Sequence, residues 1–553
     1  MQRLLFVLVL ATGACTTRAK GTTTGPGAGE GSLLPQDQTF TLKDVEVRGV
    51  VFEPQALGLP VMTKVTGHGR PNAERLRRRV NRKNPDPDEA RQLASALWAD
   101  ADAAAATDAG RALALREEAR SLLRKLRASL GAKADALTLE MVAAAELWLG
   151  DNAAAATAYD ELVRRFPQHP GARAFQTWLA FLLLRLHKVA DAAALVKSWK
   201  LDELGDMGSY VLAWVSFLAG DGAAARAGIA RALASWREQT TRPVVERDLL
   251  LILARSGADA DSAGKVVAEA SGDDTQKRYV LMFKLSEAFE KDGRYADAAR
   301  ALDIVVDDVV KGQMPPDDLV GFRFRQADFA FRLNDPEKAA ERAKVAHQTL
   351  SACGQRCPAT TAQAVTERVL KLAQFSHTVY AKSQDPRHYK AALELYRYYL
   401  EIPDREDSET VRGYLRSLEE TRSSADPNAG KHDGEVMLNV ALARREALAA
   451  CYESALMREP ALEGSMKLSI EIDHTGKVAG AASDPAPGAE GLARVAGCAV
   501  DRSRAWSFPS RTVPGKTVLD IPVQFRIQPA PGAASPPSPS AAPPADKKKT
   551  DPK

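Results

Sequence analysis

The chain has 553 residues, with 75 lysines and arginines against 71 aspartates and glutamates, for a formal net charge of +4. Near-balance of this kind leaves no electrostatic footprint for a nucleic acid, and the length is enough for more than one domain. Hydrophobic residues at 45% and charged residues at 26% fit a soluble globular body, while 6% aromatics beside abundant alanine lean towards closely packed helices.

The chain opens MQRLLFVLVLATGACTT. Arg3 supplies a positive charge, and the apolar run from Leu4 to Ala11 is far shorter than the roughly 20 residues that a membrane-spanning helix needs. Thr12, Gly13 and Ala14 directly precede Cys15, and residues 1–15 resemble the bacterial lipoprotein signal, in which the cysteine is diacylated and becomes the new first residue. Thr12 stands where leucine is more usual. The alternative is an ordinary signal peptide cleaved nearby, with Cys15 incidental. Residues 16–32 are a Thr/Gly stretch with no apolar pattern and read as a flexible tether between lipid and body. Thr16 is not aspartate, which under the familiar sorting rule favours the outer membrane, facing the periplasm; the inner membrane stays open as a second location. Residues 33–71, with TFTLKDVEVRGVVF, alternate weakly and predict a short hairpin.

From 72 to 422 the pattern is helical with short breaks. The clearest unit, YVLMFKLSEAFEKDGRYADAARALDIVVDD (279–308), puts Leu285, Ser286 and Phe289 on one face of a first helix. Gly293 makes the turn, and Tyr295, Ala298, Leu302 and Val305 line a second helix. Gly150, Ala155, Tyr159 and Pro167 take the same turn, small, large and terminating positions, as do Gly220, Ala225, Ile229 and Ala232. Asn334, Ala339, Ala343 and Ala346 follow, then Tyr389, Ala392, Tyr396 and Tyr399, with weaker copies around Ala192 and Gly257. Small residues let helices cross closely and large ones fill the space between pairs. This recurrence resembles the tetratricopeptide repeat, and the resemblance implies a stacked solenoid that binds peptides or proteins in its groove. The alanine-heavy helices at its start read as an atypical first pair or cap. Residues 376–404 are similar to the last repeat of myxobacterial envelope tetratricopeptide lipoproteins, with an aromatic helix of Tyr389, Tyr396, Tyr398 and Tyr399. Packing between helices is the plainer account of those tyrosines.

Besides Cys15 there are four cysteines. In an oxidising periplasm Cys353 and Cys357 can pair across CGQRC, leaving Cys451 and Cys498 to bridge the C-terminal unit. A redox role for CGQRC is the alternative, but thiol oxidoreductases use CxxC; a metal site would want more ligands than lie nearby.

TRSSADPNAGKHDG breaks the helical pattern, and 423–435 reads as a linker. Beyond it, Leu448, Cys451, Tyr452 and Ala455 follow helical spacing. Met466, Leu468, Ile470 and Ile472 alternate as a strand, Gly476 turns the chain into a second strand, and a helix leads to Trp506 and Phe508. VLDIPVQFRI alternates again, and Pro522, which cannot donate to a ladder, places this strand partly at an edge. The order is α-β-β-α-β. Residues 436–528 resemble the AgmX/PglI C-terminal domain family of myxobacterial envelope proteins, itself similar to the TonB C-terminal domain. The resemblance rests on Cys451–Tyr452, Pro460, Leu462 and Gly464, Gly476 and Val478, Cys498, Trp506 with Phe508–Pro509, Gly515 and Phe525. It implies a disulfide from the first helix of the unit to the second, and partner binding by addition of a strand to an open edge. Residues 529–553 form a Pro/Ala/Lys tail without apolar pattern.

No HExxH, GxSxG, P-loop or dinucleotide fingerprint occurs, and the eight histidines are scattered. The sequence therefore predicts a mainly α fold: a tetratricopeptide-like solenoid followed by a small α+β unit similar to the TonB C-terminal domain. It predicts no enzymatic activity, no cofactor, no metal, no nucleic acid and no small-molecule substrate. The expected role is a lipid-anchored scaffold that docks envelope proteins or peptides through the solenoid groove and the C-terminal sheet edge, as in gliding-motility or secretion machinery. A chaperone for outer-membrane proteins and a recruiter of a cell-wall enzyme are the alternatives.

Overall fold

The computed structural model describes residues 37–42, 44–52, 54, 62, 73–80, 86–309, 316–402, 406–423, 431–485 and 490–528. The signal with Cys15, the tether, part of the linker and the tail lie outside the described residues.

Among the described residues, helix α1 (Ala73–Val80) precedes eight helix hairpins. The first four are α2 (Pro87–Ala104) with α3 (Ala109–Leu130), α4 (Ala136–Trp148) with α5 (Asn152–Arg165), α6 (Ala172–Arg185) with α7 (Val189–Val196), and α8 (Asp206–Ala219) with α9 (Gly222–Ser235). The others are α10 (Arg242–Arg255) with α11 (Ala260–Ser271), α12 (Thr275–Lys291) with α13 (Tyr295–Val309), α14 (Pro316–Arg332) with α15 (Pro336–Cys353), and α16 (Ala359–Ser383) with α17 (Pro386–Glu401). Helix α18 (Ser408–Ser423) packs on the last of them.

A two-residue punctuation makes these turns. Every hairpin but the first passes through a left-handed residue: Gly150, His187, Gly220, Gly257, Gly293, Asn334 or Gln384. Around it the chain closes back on the first helix, as in Asp151 N–H to Glu146 O at 2.9 Å, Asp221 N–H to Ser216 O at 2.8 Å and Asp335 N–H to Ala330 O at 3.0 Å. Where an aspartate comes next, as after Gly150, Gly220 and Asn334, it caps the second helix: Asp151 accepts from Ala154 N–H, Asp221 from Ala224 N–H and Asp335 from Lys338 N–H. The first hairpin, whose α2 ends on right-handed Ala105, lacks this device.

The second unit contains α19 (Gly434–Leu442), α20 (Arg445–Leu456) and α21 (Glu490–Ser503) on one face of a sheet. Its strands are β1 (Gln38–Thr41), β2 (Val45–Gly49), β3 (Gly464–Ile472), β4 (Val478–Pro485) and β5 (Thr517–Ile527), in the order β1-β5-β3-β4, with β2 also on β5. Two expectations are corrected here. Residues 38–49 do not form a hairpin: β1 and β2 both pair with β5, in parallel. Consequently β5 is an inner strand, flanked by β3 on one side and by β1 and β2 on the other.

Pro522 survives inside the sheet for a local reason. Leu42 N–H donates to Asp520 O and Gln528 N–H to Gly49 O, so the even-numbered residues of β5 face the β1/β2 flank. Pro522 shares that parity and falls where the ladder is interrupted: Asp520 pairs with Thr41 and Val523 with Val45, the register slipping by one residue between them. No ladder hydrogen bond is lost at its nitrogen.

Disulfides join Cys353 to Cys357 and Cys451 to Cys498. The second ties α20 to α21 across a sequence separation of 47, and the loop-closure argument assigns it about 4 kcal/mol, against about 2 kcal/mol for the separation of 4 in the first. Cys451→Ala/Cys498→Ala is therefore expected to lower the denaturant midpoint clearly further than Cys353→Ala/Cys357→Ala; equal shifts in parallel urea titrations would refute the ranking.

Candidate docking surfaces

The first helices of successive hairpins are laced together by ion pairs. Glu246 of α10 accepts from Arg242 at 2.9 Å and from Lys284 of α12; burial pushes this carboxyl up, but those two cations hold it below the usual range. Arg325 of α14 reaches Glu287 at 3.3 Å and Glu290, both on α12. Arg368 of α16 grips Asp328 of α14 at 2.9 Å, yet burial keeps the Asp328 carboxyl above its ordinary value. Between these bridges lie aromatic rings: Phe283 stacks on Phe322 at 4.8 Å under the Arg325 guanidinium, and Phe331 meets the exposed Phe375 edge-on at 4.6 Å. The charges on this face hold repeat to repeat, and the Arg325 guanidinium adds a cation–π contact to the half-buried Phe283 ring, while Phe375 is the exposed ring of the group.

A second edge, formed by the turns inside the hairpins, is covered by the C-terminal unit and the segment leading away from β2. Six consecutive turns take part. Arg185 donates to Pro54 O at 3.5 Å, and Phe52 sits 5.0 Å from Trp214. Arg458 donates to Leu218 O at 3.1 Å, Glu453 pairs with Arg255 at 2.7 Å, and Arg502 pairs with Asp292. Glu446 accepts from Tyr295 O–H and, at 2.9 Å, from Arg332. Asn334 lies 3.5 Å from Ser507 Oγ, and Ser510 N–H donates to Asp385 at 2.9 Å. Arg332 and Arg444 both lie over the Tyr295 ring, at 5.0 and 5.7 Å, and burial lowers Arg444 to about 10.

Two histidines are shut into the same junction. His432 is 4% exposed; its Nε2–H donates to Pro509 O and its Nδ1 accepts from Thr517 O–H, each at 2.8 Å. His388, 2% exposed, donates from Nε2 to Asn334 Oδ1 at 3.3 Å. Burial depresses both to about 4.

The third surface is the sheet itself. Among the described residues β4 pairs only with β3, so its outer edge is open, and its Ala479–Ser483 run carries no charge. On the face away from the helices a hollow of about 380 Å³ is lined by Asp44, Lys467, Asp484, Pro522 and Gln524.

The residues singled out in the sequence fall into two groups. Ala155, Ala225, Ala298 and Ala392 are wholly buried between helices, as are Tyr159, Tyr295 and Tyr396. Tyr389 is half-buried against Tyr380 under Arg422, and Gly150, Gly220 and Gly293 are the left-handed turn residues. In the second unit Tyr452 O–H donates to Leu462 O, and its ring meets Phe525 at 5.0 Å. Trp506 and Phe508 are buried, Gly464 packs on Leu492, and Gly476 (φ 85°) touches the Phe508 carbonyl so closely that a Cβ would overlap it. Among the described residues no group of three or more His, Cys, Asp or Glu is arranged to hold a metal ion, and no helix is long and apolar enough to cross a membrane. Gln38, His432, Ser510 and Arg511 carry no local signal in the sequence, because the groups they bond lie between 77 and 473 residues away.

A family model of the tetratricopeptide repeat matches residues 138–169, the stretch of α4 and α5. None of the curated proteins matches the chain. A solved tetratricopeptide repeat protein from Parabacteroides merdae is similar at 13% identity with a TM-score of 0.24, over 51% of this chain and 98% of that one. The structure of Naa15/Naa10 bound to HypK-THB is similar at 14% identity with a TM-score of 0.18, over 69% of this chain and 58% of that one. The chain carries a tetratricopeptide repeat at residues 138–169, within a mainly α, tetratricopeptide-like solenoid joined by a small mixed sheet.

Proposed function

We propose that the chain is a non-enzymatic, lipid-anchored adaptor of a bacterial envelope complex, of the gliding-motility or secretion kind, on the periplasmic face of the outer membrane. The observation that carries this reading is the stack of eight hairpins, in which ion pairs lace α10, α12, α14 and α16 beside the Phe283–Phe322 and Phe331–Phe375 ring pairs. The resemblance of residues 436–528 to envelope domains supports the location, and the Cys15 signal supports the anchor. With β5 occupied on both sides, the strand edge offered to a partner is β4 rather than β5.

Pull-down of the anchored protein in mild detergent, followed by mass spectrometry, tests the role. A stable stoichiometric envelope complex is the expected result; only transient, substrate-like clients would favour a chaperone, and co-purifying hydrolase activity a cell-wall recruiter. Labelled palmitate is expected to enter the wild type and not Cys15→Ala. Equal incorporation into both would end the lipid-anchor reading.

A further inference from the structure

The contacts between the C-terminal unit and the solenoid fall on one row of helix ends. Arg458 reaches the C-terminal end of α8, Glu453 that of α10, Arg502 that of α12 and Glu446 that of α14, while Ser510 meets the turn after α16. One body thus bridges the ends of five successive first helices. The first four of these contacts come from α20 and α21 or the residues beside them, and the Cys451–Cys498 disulfide ties those two helices together. Their spacing is therefore fixed. A stack of helix pairs is otherwise built from contacts between neighbours, and its curvature is the sum of small rotations from one pair to the next. Joining five first-helix ends to one rigid unit couples those rotations.

The joint itself is polar. Of residues 431–528 only Met457 enters the apolar cluster of the solenoid, and no residue of the solenoid enters the cluster beneath the sheet. The close approach at Gly293 sets Ala447 against a glycine, which buries little apolar area. What remains is mostly ionic. Arg255 and Asp292, with side chains 3% and 1% exposed, pair at 3.4 Å, and Arg255 Nη1 has no acceptor. Among the described residues Arg444, also buried, has the Tyr295 ring beneath it and no carboxylate partner. Ions withdrawn from water gain little net free energy by pairing, because opening the joint restores their hydration. Polar joints between units of one chain are accordingly the ones that open, and here each unit would keep its own core. We propose that the C-terminal unit is a detachable splint: docked, it holds the solenoid at one curvature, and released, it lets the first-helix face bend.

In the full chain one amide reads the docking. Ser510 N–H donates across the joint to Asp385 of the solenoid, whereas the β3–β5 ladder is bonded inside the unit. In hydrogen exchange Ser510 is expected to exchange at least tenfold faster than the ladder amides, the mark of release without unfolding. Glu446→Ala/Glu453→Ala, which strips two carboxylates from α20, is expected to speed Ser510 at least another tenfold and to leave the ladder unchanged. Should the double variant lose the ladder, Glu453→Gln gives the same comparison with the volume kept. Spin labels at the exposed positions Arg231→Cys on α9 and Arg397→Cys on α17 read the curvature. Their distance distribution is expected to be narrow in the wild type and at least twice as wide in the variant. Equal exchange of Ser510 and the ladder in the wild type overturns the proposal, because the unit then leaves only by unfolding. A variant whose Ser510 stays as protected as before overturns it too, as does one whose Ser510 is freed while the distance distribution keeps its width.

Discussion

Acidification from pH 7 to pH 4 is expected to remove roughly 6 kcal/mol of folding stability through His388 and His432 alone. In the unfolded chain an imidazole titrates near 6.5, whereas burial in the junction holds both at about 4. Their folded values are depressed, so as the pH falls through this window the unfolded state takes up two protons that the folded state refuses. The contribution is complete above about 6.5 and gone near 4, at roughly 3 kcal/mol for each histidine. Neighbouring charges do not rescue them. Asp385 and Asp473 favour the cation at His432, but Arg511 opposes it; at His388, Asp385 is countered by Arg387.

Other groups titrate in the same range, so the histidines are isolated by difference. Asp248 and Asp328, raised by burial, act in the opposite direction as the pH falls, and they are common to wild type and variant. Asp385 is also pushed up by burial, but its hydrogen bonds from Arg387 and the Ser510 amide keep its carboxyl low, so its contribution fades only under more acidic conditions. Denaturant midpoints at half-unit steps from pH 7 to 4 are expected to fall steeply for the wild type. For His388→Gln/His432→Gln they should start lower and fall with a slope shallower by up to two protons. Superimposable slopes would show that neither imidazole is linked to folding.

Much of the solenoid was legible because its turns are written in two adjacent residues. Gly150–Asp151, Gly220–Asp221 and Asn334–Asp335 each give a left-handed closure followed by a cap, and each pair is visible without neighbours. His187 takes the same conformation with a residue type that carries no such signal, so the hairpin around it looks weak in the sequence; Gln384 does so too, but the tyrosines of the helix that follows mark that hairpin. The uneven spacing also matters: the interval from His187 to Gly220 is far shorter than that from Asn334 to Gln384, so few units match a fixed-length repeat. The strand partners were illegible for a different reason. Alternation in VEVRG shows a half-buried strand but not which strand it joins, and local pairing is the natural guess when the partner lies beyond the whole solenoid. Pro522 marks a missing donor correctly, yet a register slip satisfies that constraint as well as an open edge does. The docked edge was hidden too, since Arg255, Asp292 and Asp385 look in sequence like solvated helix ends.

Gly293→Val is expected to cost on the order of 5 kcal/mol and to loosen the C-terminal unit from the solenoid. Two separate penalties fall on one residue. At φ 68° a β-branched side chain clashes with its own backbone. In addition, a Cβ there would lie 2.6 to 2.8 Å from the Cβ, Cα and N of Ala447, so α20 itself would have to move, and with it Glu446 and Glu453. Gly220→Val separates the two effects: its φ of 85° carries the first penalty, but nothing lies within 4 Å of the new Cβ. That variant is expected to lose roughly 2 kcal/mol with the junction intact. Hydrogen exchange makes the distinction, because the amides of α20 should exchange faster in Gly293→Val and at the wild-type rate in Gly220→Val. If both variants left α20 equally protected, the close approach at Gly293 would not be what holds the two units together.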